Sequence, residues 1–202
     1  MPYLYSKTQN ARPKDGAFYF LDANIWIKIL APKSKLSFKD KNYITYIEKI
    51  QDNGKCKIVV TALVLSEVIN RILRDVHMEK FLLKMKKQDS SYVPPTDFYK
   101  AVFRKSDEFK IAYTLLCDEI RDMHDTLHLV SDKLGDKFKL KHILKDLPTH
   151  LDFNDHYYYQ ICKANNYILV TDDKDFWVED VEVMTESETL FNSFLKLKLV
   201  DG

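Results

Sequence analysis

Acidic residues follow several of the short apolar segments in this 202-residue chain. Asp22 comes directly after the apolar segment 17–21, and Asp173 and Asp175 follow the apolar segment 167–171. Carboxylate oxygens are the ligands that Mg²⁺ prefers in proteins, and a bound Mg²⁺ can polarise a phosphoryl oxygen or deprotonate a water molecule. Acids at these positions could therefore take part in metal-assisted chemistry on a phosphate group.

The elements that would position these acids can be predicted from hydrophobic periodicity. Four short segments rich in β-branched and aromatic residues are predicted as strands, at 17–21, 57–61, 167–171 and 181–184. Helical spacing predicts helices at 24–30, 41–51, 63–87, 97–134, 152–164 and 187–197. Strands that alternate with helices predict an α/β fold, a three-layer α/β/α sandwich with a mainly parallel central sheet.

The carboxyl ends of parallel strands meet at one edge of a sheet, where ligands bind in folds of this kind. Glu67 lies in the helix after the second strand, and Asp152 and Asp155 begin the helix before the third. Taken singly, Asp152 has a simpler interpretation as a helix N-cap, and Asp172 as a solvated turn residue. Acids that recur at matching places would repel one another unless a cation bound there. The combination therefore favours a metal site.

Four sequence motifs resemble those of PIN domains. The segment Leu21–Ile25 resembles the first motif and Ser66–Val68 the second, while Asp155 and the segment Thr171–Phe176 are similar to the last two. The motifs occur in order and cover residues 17–75 and 150–190. The resemblance implies one PIN-like nuclease domain over residues 1–202.

The resemblance also implies an activity and a site. It implies a divalent-metal-dependent endoribonuclease that uses Mg²⁺ or Mn²⁺ to cleave RNA. The implied catalytic and metal-binding residues are Asp22, Glu67, Asp155 and Asp173, with Asn24 and Thr171 in support and Asp175 as an accessory acid. Asp152 and Asp172 lie off the family pattern. Stand-alone bacterial PIN proteins further suggest the toxin of a toxin–antitoxin pair, with a small antitoxin protein or a second copy of the chain as partner.

One long stretch has no counterpart in the motifs. Residues 80–147 are predicted as a helical insertion, because more residues separate Glu67 from Asp155 in the sequence than in compact family members. RNA selection, dimerisation and partner docking are the roles open to it.

Two features outside the motifs could contact RNA. Lys33 and Lys35 belong to a basic segment that could hold a phosphate backbone, or equally could form a solvated loop. Tyr159 belongs to an aromatic run that could stack on unpaired bases, although packing of an amphipathic helix explains the run as well.

The composition sets wider limits. Residues 1–67 carry a net charge of +5, residues 68–150 carry +3 and residues 151–202 carry −7, within a total of +1. A hydrophobic content of 46% and a charged content of 30% indicate a globular chain and exclude a disordered tail. The three widely spaced cysteines and the lack of any long apolar run predict a cytoplasmic protein without a membrane span.

Three alternatives stay open from the sequence. A PIN scaffold that has lost turnover could act by holding RNA or protein. A haloacid-dehalogenase-like phosphatase with Asp22 as nucleophile is disfavoured, because the segment Asp22–Trp26 lacks the second aspartate and the threonine of that family. His124 and His128 have a spacing that can hold zinc on one helix face, but no third ligand is evident.

Overall fold

A six-stranded sheet forms the centre of the protein. The computed structural model describes residues 5–33, 35–130, 150–178 and 180–200. The sheet has the strand order β1-β6-β5-β2-β3-β4, and every pairing is parallel. Its strands are β1 (Tyr5–Ser6), β2 (Phe18–Leu21), β3 (Lys57–Val60), β4 (Leu127–Leu129), β5 (Ile168–Val170) and β6 (Val183–Met184).

Helices cover both faces of this sheet, which confirms the predicted three-layer α/β/α architecture. A π-helical turn (Leu73–Met78) joins two of them into one continuous rod. The helices are α1 (Ala23–Leu30), α2 (Phe38–Asp52), α3 (Ala62–Ile72), α4 (Glu79–Gln88), α5 (Phe98–Ala101), α6 (Asp107–Asp122), α7 (Phe153–Asn165) and α8 (Glu188–Val200), with 3₁₀ turns at Thr8–Asn10 and Phe103–Lys105.

Local signals in the sequence fix where the helices begin and end. The Thr61 hydroxyl accepts a hydrogen bond from the Val64 backbone N–H and so caps α3. Ser37 and Asp40 form a reciprocal capping box at the start of α2. Asn166 ends α7 with φ of 59°, a left-handed conformation that asparagine tolerates better than most residues.

The strands β2, β3 and β5 form the buried centre of the sheet. The side chains of Tyr19, Phe20 and Leu21 are fully buried in β2, and β5 is buried along its whole length. Residues Leu21 and Val170 are paired across β2 and β5, so both strands end at the same level. The residues that follow these two strands therefore emerge side by side.

The prediction of an entirely helical stretch from 80 to 147 is wrong at β4. Residues Leu127–Leu129 form a strand that pairs with β3, because Ile58 donates to the Thr126 carbonyl and Val130 to the Val60 carbonyl. The predicted helix 97–134 is accordingly divided into α5, a 3₁₀ turn and α6, and ends at Asp122. His124 lies in the turn before β4 and His128 within it, so they do not share a helix face. Residues 131–149 lie outside the described residues.

Within the described part of the chain, none of the helices combines the length and the apolar character that a membrane crossing requires.

Candidate active site

The Asp22 carboxylate is buried at the junction of β2 and α1. Asp22 directly follows β2, and its backbone N–H donates to the Val170 carbonyl of β5 at 3.0 Å. Its carbonyl accepts the first hydrogen bonds of α1, so this residue is fixed on both sides. The residue is only 3% exposed. A carboxylate in this position is rigidly held and almost removed from bulk water.

A small polar network holds the Asp22 carboxylate. The Thr171 hydroxyl donates to its Oδ2 at 2.7 Å, and the Asn24 side-chain amide donates to the same oxygen. The Asn24 amide oxygen in turn accepts from the backbone N–H of Asp172 at 3.2 Å. The structure thus places Asn24 and Thr171, the two predicted supporting residues, in direct contact with Asp22.

Asp173 is positioned by the turn after β5. Its backbone N–H donates to the Thr171 hydroxyl at 3.0 Å, and its carboxylate accepts the backbone N–H of Asp175 at 2.8 Å. Thr171 therefore links the loop that carries Asp173 to Asp22. The Asp175 side chain is exposed, and this residue contributes its backbone N–H to the turn.

Asp155 lies in the first turn of α7. Asp152 is the N-cap of this helix, because its carboxylate accepts the Asp155 backbone N–H at 2.9 Å. The simpler interpretation of Asp152 as a cap is therefore correct. Asp155 is left with a partly buried carboxylate.

Glu67 is held from two elements. Its Oε2 accepts hydrogen bonds from the Tyr158 hydroxyl at 3.0 Å and the Asn154 side-chain amide at 3.1 Å, both on α7. Its Oε1 lies 3.7 Å from the Arg71 guanidinium, one turn further along α3. Glu67 is thereby tied to the same helix that carries Asp155.

Two of the four acids have markedly raised pKa values. Burial raises the pKa of Asp22 to about 6; the hydrogen bond from Thr171 opposes this rise, and the Asp173 charge adds to it. Burial also raises the pKa of Asp155 to about 8, and the charges of Asp22, Asp152, Asp173 and Glu67 add to that rise. The four predicted acids therefore lie close enough to interact electrostatically.

A comparison with known protein families identifies the family of this chain. The family model for the PIN domain matches residues 19–178. This chain belongs to the PIN-domain family. Members of the family are generally nucleases, and the predicted family resemblance is confirmed.

Two solved structures show limited similarity to this chain. VapBC2 from Rickettsia felis, bound to a DNA fragment from its promoter, is 15% identical with a TM-score of 0.45, over 83% of this chain and 98% of that one. PAE2754 from Pyrobaculum aerophilum is 13% identical with a TM-score of 0.42, over 91% of each chain. A search of curated proteins for relatives of this chain found no match.

PIN domains generally use divalent metal ions, and the donor set of this PIN domain has the chemistry for one. Its oxygen donors are carboxylates, and Asp22 is a desolvated acid whose charge a cation would stabilise. Among the described residues, however, no three His, Cys, Asp or Glu side chains already converge on one point where an ion could bind. The residues fit the ion in type, and ion binding would require side-chain movements.

The residues predicted to contact RNA are Lys33, Lys35 and Tyr159, and they lie in other surroundings than the four acids. Lys33 is exposed, and its ammonium lies 3.2 Å from the Asp40 carboxylate. Lys35 is exposed as well. The Tyr159 hydroxyl donates to Asp180 at 3.4 Å, and the Lys163 ammonium lies 5.6 Å from its ring centroid. Neither Lys33 nor Tyr159 contacts any of the four acids.

Asp172 is a structural acid. Its carboxylate lies 3.1 Å from the Lys28 ammonium and accepts a 3.0 Å hydrogen bond from the Tyr43 hydroxyl. The same hydroxyl oxygen also lies 3.0 Å from the Thr171 carbonyl oxygen, so its one proton is shared between the two acceptors. These contacts agree with the position of Asp172 off the family pattern.

Several supporting residues are absent from the sequence prediction. Tyr158 lies one turn after Asp155 on α7, and this i,i+3 spacing is the signal that could have placed it beside the site. Asn154, Lys28 and Tyr43 gave no such signal, because their contacts join segments far apart in the sequence.

A cavity of about 450 Å³ lies at the amino ends of the central strands, opposite to the four acids. Its lining includes Phe18 and Ile168, the first residues of β2 and β5, together with Lys14 and Glu182, which form a 2.6 Å ion pair. None of the four acids lines this cavity. This cavity is therefore separate from the acids that follow the carboxyl ends of β2 and β5.

Proposed function

We propose that this PIN domain is a divalent-metal-dependent endoribonuclease and acts as the toxin of a toxin–antitoxin pair. The observation that carries the proposal is the raised pKa of two coupled acids, Asp22 and Asp155, where the central strands end. Perturbed acids grouped at a site are typical of catalytic centres. The place is also where an open α/β sheet binds ligands.

In this proposal the four acids hold the metal ion, and neighbouring side chains orient two of them. Mg²⁺ or Mn²⁺ held by Asp22, Glu67, Asp155 and Asp173 would supply polarisation of a phosphoryl oxygen and activation of a water molecule. The Thr171 and Asn24 hydrogen bonds keep the Asp22 oxygen in one orientation. Tyr158 and Asn154 do the same for Glu67. Positioned ligands reduce the reorganisation that ion binding requires.

A cleavage assay tests the nuclease proposal. The purified protein is incubated with single-stranded RNA and Mg²⁺ or Mn²⁺, with a chelator in a parallel reaction. We expect internal cleavage by the parent, none with the chelator, and a loss of at least about 10³-fold in Asp22→Asn with the fold intact by circular dichroism. Equal cleavage by Asp22→Asn would refute the site assignment.

An exposed apolar groove supports a protein partner. The groove has a volume of about 310 Å³, lies between the π-helical turn, α4 and α6, and is lined by Phe81 and Phe103. At its rim Ile111 is 59% and Leu115 is 56% exposed. Exposed apolar surface of this kind is typical of interaction sites.

Expression in a bacterial host tests the toxin role: the parent should arrest growth, and Asp22→Asn should not.

The second candidate is a PIN scaffold without turnover. The observation that favours it is that no three acids of the described residues already converge on one ion. RNA binding by both the parent and Asp22→Asn, with no cleavage in either metal, would support this alternative.

A further inference from the structure

A nuclease site built from four carboxylates repels the strand that it must cleave. Every nucleotide carries a negative phosphate, so cations near the acids must offset this repulsion. Two lysines near the strand ends are already paired with carboxylates: Lys28 lies 3.2 Å from Asp40 and 3.1 Å from Asp172, and Lys33 lies 3.2 Å from Asp40. These two lysines are therefore not free to offset the charge of a substrate.

Two arginines lie against one tyrosine ring beside α3. The guanidinium of Arg74 lies 4.7 Å from the ring centroid of Tyr99, and that of Arg104 lies 6.0 Å from it. Arg104 also lies 6.0 Å from the ring centroid of Phe109. Both arginines are exposed residues. We call Arg74, Tyr99 and Arg104 the arginine patch.

The two arginines of this patch lack a close carboxylate among the described residues. Within the described ranges neither Arg74 nor Arg104 has a carboxylate within 4.0 Å, although Arg71 and Arg121 each do. Two like charges on one ring repel each other. A bound anion would relieve that repulsion, in the same way that a cation would relieve the repulsion among the four acids.

The patch is continuous with the candidate active site. Glu67, Arg71 and Arg74 lie on successive turns of one helical rod, and the Arg71 guanidinium lies 3.7 Å from Glu67. Seven residues of helix from Glu67 to Arg74 rise about 10 Å, a distance that a short nucleic-acid strand can span. Arg74 belongs to the π-helical turn, a distortion that is frequent at functional sites.

We propose that the arginine patch binds the phosphodiester backbone of a nucleic-acid strand that extends from the four acids along α3. An arginine stacked on an aromatic face keeps its N–H edges free, and those edges match phosphate oxygens in a bidentate geometry. The role of the patch in cleavage rests on the proposed nuclease function, but strand binding itself does not. An acidic protein could also pair with arginines, but the continuity with Glu67 favours the strand.

Equilibrium binding tests the proposal separately from cleavage. The probes are single-stranded RNA and DNA oligonucleotides of the same sequence, titrated at several salt concentrations with a chelator. The variants Arg74→Gln, Arg104→Gln and their combination are made in the Asp22→Asn background, which prevents cleavage. Arg121→Gln is the matched control, because Arg121 is an exposed arginine at the far end of α6 from this patch. Arg74→Lys retains the charge without the planar guanidinium.

A lost phosphate contact lowers the salt dependence of binding in a defined way. The slope of log K against log salt is negative, and we expect it to become shallower by about 0.7 per arginine and about 1.4 in the double variant. Affinity should fall about 5-fold for each single variant. Arg74→Lys should keep the slope and lose part of the affinity, and Arg121→Gln should match the parent. A shallower salt dependence of RNA binding in the arginine variants supports the proposal, whether or not DNA binding changes in the same way.

The proposal is overturned if the double variant keeps the parental slope with both oligonucleotides, or if Arg121→Gln loses as much slope as the double variant. Loss of poly-glutamate binding together with an unchanged slope for RNA and DNA would overturn it in favour of an acidic protein partner. Failure of the nuclease proposal would be seen elsewhere, in equal cleavage by the parent and by Asp22→Asn.

Discussion

The Thr171 hydroxyl donates a 2.7 Å hydrogen bond to the buried carboxylate of Asp22. The same hydroxyl oxygen accepts the backbone N–H of Asp173 at 3.0 Å. One side chain after the end of β5 thus positions two acids that lie 151 residues apart in the sequence. This geometry makes Thr171 a positioning residue.

Thr171→Val keeps the shape of the side chain and removes both hydrogen bonds. Because the bond from Thr171 lowers the pKa of Asp22, its loss should raise that pKa above about 6. We expect RNA cleavage to fall about 10- to 100-fold near neutral pH and to recover partly as the pH rises. Unfolding free energy should fall by about 1–3 kcal/mol, because polar groups are left unsatisfied.

A pH–rate profile and a thermal melt measure these effects. Thr185→Val is the matched control, since Thr185 is equally buried and its hydroxyl accepts the Ser187 backbone N–H, away from Asp22. The positioning role of Thr171 is contradicted if both variants lose stability alike and neither profile shifts.

Tyr158→Phe removes one of the two hydrogen bonds to Glu67 Oε2 and leaves the bond from Asn154. We expect affinity for Mn²⁺ to fall about 10-fold, because outer groups that orient a ligand carry part of the binding. Calorimetric titration gives this affinity. Tyr46→Phe is the control, because Tyr46 is also a buried tyrosine but has no contact with Glu67. Equal Mn²⁺ affinity in all three proteins would show that Tyr158 has only a packing role.

Apolar runs and strand-end acids made most of the site predictable from the sequence. The run that forms β5 and the acid after β2 are local signals, and parallel pairing brings them together. β4 was missed because its three residues are largely exposed at the sheet edge, so its pattern lacks a buried strand signal.

The hydrogen bonds to Glu67 could not be predicted for a different reason. They join α3 to α7 across 87 and 91 positions, and local periodicity carries no information about such contacts. The ion pair of Lys28 with Asp172, which removes a cation from the surface near the site, depends in the same way on the packed fold.

Metal affinity should depend on pH. Ligand carboxyls must lose their protons before an ion binds, and the pKa of Asp155 is about 8. Mn²⁺ affinity should therefore rise by up to about tenfold per pH unit between pH 6 and 8. In Asp22→Asn the pKa of Asp155 should fall, because the Asp22 charge contributes to its rise.

Calorimetric titrations at pH 6, 7 and 8 measure this dependence. The variant should bind Mn²⁺ more weakly at pH 8, and its affinity should change less with pH. Asp118→Asn, at the far end of α6, should behave like the parent. A flat pH dependence in the parent would contradict the coupling between Asp22 and Asp155.

Asp155→Asn should stabilise the metal-free protein at high pH. The pKa of Asp155 is about 8 in the folded protein and about 3.9 in an unfolded chain. The folded state therefore binds the proton more tightly, and the stability from this group is lost as the pH rises from about 4 to about 8. Removing the charge should raise the melting temperature at pH 8 by roughly 3–6 °C and leave it unchanged at pH 4.

Thermal melts with a chelator and with millimolar Mn²⁺ test both parts of this expectation. The parent should gain about 2.7 kcal/mol at 100 times the dissociation constant, since the ion binds only the folded state. Asp155→Asn should gain less, because one ligand is gone. If the parent shows no shift with metal and the variant melts lower at pH 8 without it, Asp155 is a structural residue. The metal-dependent nuclease would then lose its main physical support.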